Sequence, residues 1–508
     1  MSNHNGSNRS SETSTAVDAL QAGTWDVLVI GGGIVGAGVA RDAALRGLRV
    51  ALTDQGDFAS GTSSRSSRLL HGGIRYLAQG RIGLVREASR EKTIIRDIAP
   101  HLAEPLAFVF PTRKGDGWPR WQLAIGVKVY DLLCGRQNLG PSSVLGRQRL
   151  LDLVAGLSDD RLTGGVRYFD ALTNDARLTL DTLRSAAAAG AAIANYVKFE
   201  GAVPDNSGWN CQLRCILSDK SLSVATRTVV NATGPWSDRI PLSGANLRLT
   251  KGVHLVIDRT RLPIDDAVVM TQGQRILFGI PWGERVILGT TDTDYDGPVA
   301  TPVCEPEDVD YILGVVNGAF PAANLRIADV ISTWAGLRPL VADRNGKPSD
   351  ISRRHEIRTT HPGWWDATGG KLTTYRLMAE EAVDAVVEHL GGGVSQSTTA
   401  TQPLLSTDAA NEISGILPPP IKPEVVEHCC RREWAVHLDD VMIRRTGWRH
   451  YHRDHAEIAE RVSRWMQSAL AWGDEARSDE LHRYLQLVDS SAAVSLQSAS
   501  QDNARPPC

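Results

Sequence analysis

Long apolar runs are missing from this chain of 508 residues. No stretch reaches the roughly eighteen uninterrupted apolar positions that a spanning helix requires, so any contact with a bilayer is expected to be peripheral. Cysteine is sparse as well, seven residues with no C-x-x-C pair, which excludes a zinc ribbon or a redox dithiol and predicts the reducing cytosol. Neither sign of charge prevails. With 55 Lys and Arg against 58 Asp and Glu, a net charge of -3, no global basic field recruits nucleic acid or an anionic membrane. Any affinity for anions must be local. The first 22 residues have no apolar segment of the kind a secretory leader carries, and their Ser and Asn content predicts a disordered tail. At 42% apolar and 22% charged residues, without internal repeats, collagen and coiled coil are excluded and a globular protein of two or three domains remains.

What is present begins at Trp25. Asp26 to Ile30 (DVLVI) reads as a short strand, GGGIVGAG follows, VARDAALRG is helical and closes on Gly47, and Arg49 to Thr53 (RVALT) reads as the next strand. In such a β-α-β unit Gly31 makes the tight turn, Gly33 lets backbone approach a pyrophosphate, and Gly36 lets the helix pack on the strand. The helix N-terminus offers N–H groups to the phosphates. Asp54, just past the second strand, is placed to accept hydrogen bonds from a ribose and disfavours a 2′-phosphate. The unit alone does not separate FAD from NAD. Two distant segments, NATGPWSD at 231 to 238 and GGKLTTYR at 369 to 376, repeat its strand-to-turn logic, and three stretches closing on one long dinucleotide favour FAD held in extended form.

Cationic residues gather in further places. GTSSRSSRLLHGGIRYL at 61 to 77 sets His71 and Arg75 four apart, on one face of a strand or a helical turn, with Gly72 and Gly73 leaving room for a ligand. In AGLRPLVADRNGKPSDISRR, residues 335 to 354, a two-residue turn at Asn345-Gly346 sets Arg338 opposite Arg353. Two such guanidiniums repel unless an anion lies between them, and a phosphate is the natural neutraliser. Lys371 follows Gly369 and Gly370 in the turn before the last core helix, and His254 in KGVHLVID points away from Val253 and Leu255. Arg431, Arg432, Arg444 and Arg445 read as a solvated helix face.

The coarse pattern predicts helices over 81–104, 177–190 and 374–390 and a mostly strand-like region over 249–335. The expected organisation is a disordered tail over 1–22, a composite core over 23–400, a linker over 401–422 around LPPPIKP, a helical C-terminal domain over 423–490 and a disordered tail over 491–508.

GGGIVGAGVARDAALRG, SSRSSRLLHGGIRYL, TNDARLTL, NATGPWSD, KGVHLV, IPWGERVILGTTDTDYDGP, GLRPL and GGKLTTYR together resemble the FAD-dependent glycerol-3-phosphate dehydrogenases over about residues 25 to 390. EWAVHLDDVMIRRTG at 433 to 447 resembles the helical C-terminal domain of that family. NDAR at 174 to 177 departs by having Asn where Asp is common. The resemblance implies an α/β architecture: a Rossmann-like FAD-binding domain of the D-amino-acid-oxidase and glutathione-reductase type (about 23–80, 170–240 and 355–400), an inserted, mostly antiparallel β substrate domain (about 81–169 and 241–354) and a small all-α C-terminal domain. It implies oxidation of sn-glycerol 3-phosphate to dihydroxyacetone phosphate with electrons passed to a membrane quinone. A cytoplasmic location at the inner face of the cell membrane, neither a metal nor a nucleic-acid partner, and a homodimer as one possible assembly complete the expectations.

The substrate-site residues carry over from the same resemblance, and the roles expected of them follow from the chemistry of alcohol oxidation. His71 is the expected base, and Arg338 polarises the substrate oxygen. Arg353, Arg75 and Lys371 hold the phosphate, Tyr76 and His254 orient the rest, and Arg275 completes the substrate set. The expected cofactor set is Gly31, Gly32, Gly33, Gly36, Asp54, Thr62, Ser63, Ser64, Ser67, Val197, Ala232, Thr233, Gly234, Trp236, Gly370, Lys371, Leu372 and Thr373. A glycerol-3-phosphate oxidase that reduces oxygen is the alternative. An amino-acid oxidase would need one carboxylate-binding Arg in a mostly apolar pocket, and the crowd of cations speaks against it. A non-catalytic flavin scaffold would leave those cations dispersed.

Overall fold

The computed structural model describes residues 11–73, 81–115, 119–135, 138–273, 275–341, 355–406 and 413–492. Two sheets organise the chain. In the first, the strand Trp25–Ile30 lies between Val50–Thr53 and Ser221–Asn231, parallel to both, and Ala192–Ala194 and Trp364–Thr368 extend it in parallel on either side. Val27 to Ile30 and Val50 to Thr53 are buried, the apolar run that a parallel strand covered on both faces requires. The helices Ile34–Leu45, Asp175–Ala188 and Tyr375–His389 pack against one another beside this sheet. The second sheet is ten-stranded and almost wholly antiparallel; Leu247–Asp258 and Val330–Val341 form its longest pair, and Ala267–Gln272 meets Glu104–Arg113 in parallel. The helices Pro423–Arg432, His455–Leu470 and Asp474–Ala492 close around Val426, Leu438, Met442, Trp448 and Val462.

Several expectations are corrected. Residues 11 to 22 are not a loose tail but a helix, Ser11–Ala22, because Val17 and Leu20 share a face that buries against the first sheet and Trp25 Nε1 donates to the Leu20 carbonyl at 3.0 Å. The strand-like region 249–335 contains a helix, Pro306–Ala319, whose acidic first turn and capping box outweigh its β-branched content. The linker composition of 401–422 marks irregular backbone rather than detachment: Leu404, Ile413 and Ile416 are buried, and Gln402 offers its carbonyl to Arg41 at 2.7 Å. Leu69–Leu70 and the whole of Leu162–Leu172 belong to the second sheet, which therefore takes residues from both sides of the expected boundaries. The departure at Asn174 is benign, since its side chain accepts from the Arg177 N–H and caps the helix Asp175–Ala188.

Candidate active site

A cavity of about 1110 Å³ is lined by residues from both sheets. Its inner end is the glycine turn between Trp25–Ile30 and Ile34–Leu45. Gly31 has φ +107, and a Cβ at Gly36 would lie 1.9 Å from the Gly31 carbonyl oxygen, so the turn admits no side chain there. Ile34 N–H donates to Ser63 Oγ at 2.9 Å, and Gly32 N–H and Gly56 N–H donate to the Asp54 carboxylate at 2.7 and 2.9 Å. Burial raises the Asp54 carboxyl to about 6 despite those two bonds. Of the expected cofactor set, Gly31, Gly33, Asp54, Thr62, Ser63, Ser64, Ser67, Val197, Ala232, Thr233, Gly234, Trp236, Gly370, Lys371, Leu372 and Thr373 line the cavity. Gly32 and Gly36 stand behind it as parts of the turn.

The opposite wall is the pair Leu247–Asp258 and Val330–Val341. Their register sets Thr250 opposite Arg338, Gly252 opposite Gly336 and His254 opposite Trp334. The two glycines make room: a Cβ at Gly252 would come within 2.4 Å of Arg338 Nη2, and one at Gly336 within 2.5 Å of the Arg65 carbonyl oxygen. Arg338 donates to Thr290 Oγ1 at 2.9 Å and pairs with Asp292 at 3.2 Å. His254 Nε2 lies 2.8 Å from Ser67 Oγ, and its ring stacks on Trp334 with centroids 5.2 Å apart. Burial, reinforced by the charges of Arg338 and Arg68, lowers His254 to about 3, so it is a neutral imidazole at working pH. His71 enters from the loop after Leu69–Leu70, its N–H donating to Thr373 Oγ1 at 3.0 Å, which joins it to the turn that carries Lys371.

His71, His254, Arg338 and Lys371 thus share one cavity although they span 300 residues of chain. Arg275 does not join them. It is exposed at the start of the strand Arg275–Trp282, its guanidinium 5.5 Å from the Tyr311 ring centroid, because the hairpin register pairs it with Gln272 at the sheet's end. Arg75, Tyr76 and Arg353 lie outside the described residues, as does the Asn345-Gly346 turn. Sequence reasoning missed Trp334 and Arg65, whose guanidinium burial pulls down to about 10, and it missed the C-terminal contribution of Asp439, Arg444, Arg449 and His450 to the cavity wall. The solvated face expected for Arg444 and Arg445 is overturned, because both are buried against Asp57, while Arg431 and Arg432 are exposed. The signal was the spacing of Asp439-Asp440 and Arg444-Arg445, four and five apart on a helical turn.

A sequence profile described as FAD dependent oxidoreductase matches residues 26–385. The aerobic glycerol-3-phosphate dehydrogenase of Staphylococcus epidermidis is 39% identical over 375 residues, 72% of this chain and 67% of that protein. The chain belongs to the FAD-dependent glycerol-3-phosphate dehydrogenase family. The enzyme of that name from Staphylococcus aureus is likewise 39% identical over 380 residues, 73% of this chain and 68% of its own. Among solved structures, the glycerol-3-phosphate dehydrogenase from Bacillus halodurans complexed with FAD superposes with a TM-score of 0.76 at 28% identity, covering 95% of this chain and 98% of that one. The L-alpha-glycerophosphate oxidase from Mycoplasma pneumoniae, at a TM-score of 0.60 and 17% identity over 74% of this chain and 97% of its own, shares the fold. The family's cofactor fits the residues present: the side-chain-free turn, the half-buried Asp54 acceptor and the small residues of Ala232 to Gly234 form a cradle for FAD.

Proposed function

We propose that this enzyme oxidises sn-glycerol 3-phosphate to dihydroxyacetone phosphate and passes the electrons to a membrane quinone. The observation that carries the reading is the convergence of two imidazoles, a guanidinium and an ammonium on the cavity that also holds the glycine cradle. Oxidising the secondary alcohol removes a hydride from carbon 2 and a proton from its hydroxyl, and FAD, when bound, supplies the hydride acceptor. His71 takes the hydroxyl proton, imidazole being the side chain best suited to general-base work near neutral pH. His254, lowered to about 3, is too weak a base for that task and instead hydrogen-bonds as a neutral ring oriented by Ser67. Arg338 polarises the oxygen at carbon 2. Lys371, with Arg75 and Arg353, neutralises the dianionic phosphate.

The quinone reading is supported by the helix Arg120–Cys134. Trp121, Ile125 and Leu132 fall on one face at helical spacing and are 67%, 57% and 80% exposed, an apolar stripe of the kind that settles into a bilayer interface. No described helix is long and apolar enough to cross a membrane.

Anaerobic addition of glycerol 3-phosphate is expected to bleach the bound flavin, and a spectrum that stays oxidised would refute the reading. Re-oxidation by a quinone analogue should outrun that by dissolved oxygen; the reverse order would favour the oxidase. Gly252→Ala provides an internal test. Its methyl would meet both the Arg338 guanidinium, at 2.4 Å, and Thr290 Oγ1, at 2.6 Å, so catalytic efficiency should fall about tenfold with some loss of melting temperature as the short Thr290 side chain gives way.

A further inference from the structure

We infer that the C-terminal helical region latches the adenosine half of the FAD site, with Asp440, Arg444, Arg445 and Trp434 holding the loop that runs from Asp54 to Ala59. The inference rests on the assignment of Asp54 to the ribose made above.

Asp57, three residues after Asp54, is buried and accepts from Arg444 Nε, from both terminal nitrogens of Arg445, the Nη2 bond being 2.8 Å, and from Asn195 Nδ2 at 3.1 Å. The two guanidiniums come from a segment nearly four hundred residues away. The next residue, Phe58, lies against the glycine turn itself, for a Cβ at Gly32 would come within 2.4 Å of its ring. The outer edge of that ring meets Trp434 edge-on, centroids 5.4 Å apart. Trp434 therefore backs Phe58, and Phe58 backs the turn.

A second strand of contacts holds the other side of the loop. Asp54 N–H donates to the Ala194 carbonyl at 3.1 Å, Tyr196 N–H to Gly56 at 3.0 Å and Val197 N–H to Asp54 at 2.7 Å, so 54–56 is laced to 194–197. That lace is in turn tied to the C-terminal region: Tyr196 Oη donates to Asp440 Oδ1 at 2.7 Å, and Asn195 Nδ2 donates to the Trp434 carbonyl at 2.8 Å. Burial and the Asp440 charge raise the Tyr196 phenol well above its ordinary value, which keeps it a donor.

The cluster balances three carboxylates, Asp57, Asp439 and Asp440, against Arg444, Arg445 and Arg483. Buried ion pairs of this kind are a poor source of net stability and a good source of defined geometry. Asp439 and Arg444 face the same cavity as Asp54 and Val197. A loop already ordered before binding does not lose its freedom when the nucleotide arrives, so the consequence of the latch is slow cofactor release.

The test is FAD release from the holoenzyme, read as the rise of free-flavin fluorescence after dilution. Tyr196→Phe deletes one hydroxyl and is expected to release FAD roughly tenfold faster, the equivalent of one hydrogen bond to a charged group. Arg445→Lys loses one fork of the Asp57 pair together with the Nε and Nη2 bonds to the Glu433 carbonyl, and its release should be at least as fast. Substrate reduction of the flavin at saturating FAD should remain at the wild-type rate in both. Ser332→Ala is the control, since it removes the hydrogen bond from Ser332 Oγ to the His450 carbonyl, 2.9 Å, where the same helical region meets the second sheet. Its release rate should stay within about twofold of wild type at a comparable loss of melting temperature. Should Arg445→Lys not fold, Tyr196→Phe still decides the matter. Unchanged release in Tyr196→Phe, or equally fast release in the control, would overturn the latch. Wild-type protein that takes up no FAD would overturn the cofactor assignment beneath it.

Discussion

His71→Ala is expected to lower kcat by about 10²–10⁴, the span over which a positioned acid–base group acts. The reason is chemical. An alcohol proton is far too weakly acidic to leave unaided as hydride departs from carbon 2, and His254, the other imidazole of the proposed substrate set, cannot substitute. His254 is buried beneath the charges of Arg338 and Arg68 and committed to Ser67. KM should change much less than kcat, since the substitution leaves alone the cations proposed to hold the phosphate. Rapid mixing with substrate under anaerobic conditions isolates the flavin-reduction step from re-oxidation. Reduction at the wild-type rate in His71→Ala would assign the proton to another group.

The largest stability effect is expected at Arg177. Its Nη1 and Nη2 each donate to Glu433 at 2.7 Å, and Nη2 also reaches Ser414 at 2.6 Å and Asp181 at 3.0 Å, with Arg177, Glu433 and Asp181 all buried. One residue thus pins the helix Asp175–Ala188 of the FAD-binding part to the C-terminal region. Arg177→Ala strands the Glu433 carboxylate in the core and should cost about 3–5 kcal/mol, seen as a lower denaturant midpoint.

The same pair governs acid behaviour. Burial alone would raise the Glu433 carboxyl, but the charge and hydrogen bonds of Arg177, helped by His428 and Arg184, hold it well below the ordinary value of 4.5. A depressed carboxyl stabilises the fold above its unfolded pKa and loses that contribution as pH falls below it. Wild-type stability should therefore drop on acidification below about pH 4.5, and the Arg177→Ala profile should be flatter there. A loss under about 1 kcal/mol, the value of an exposed pair, would mean that water reaches Glu433.

The parts of this protein written in contiguous residues were legible without coordinates. The glycine turn, the flanking parallel strands and Asp54 at the end of the second strand follow from steric rules that act over a few neighbouring positions, and the motifs around His71, Arg338 and Lys371 named three groups that one cavity lines. Arg275 shows the limit. A motif says that an arginine is present, whereas the hairpin register with Gln272 decides which end of the sheet it occupies.

Local sequence determined the glycine turn with its flanking parallel strands and the kinds of side chain available for catalysis, and the family resemblance added the second, antiparallel sheet. Only the tertiary structure decided that His254 is neutral, that Gly252 exists to clear space for Arg338, and that Arg444 and Arg445 turn inward to Asp57 instead of outward to water. Backbone preference depends on adjacent atoms. The state of a buried charge depends on which partner meets it, and here that partner arrives from the far end of the chain.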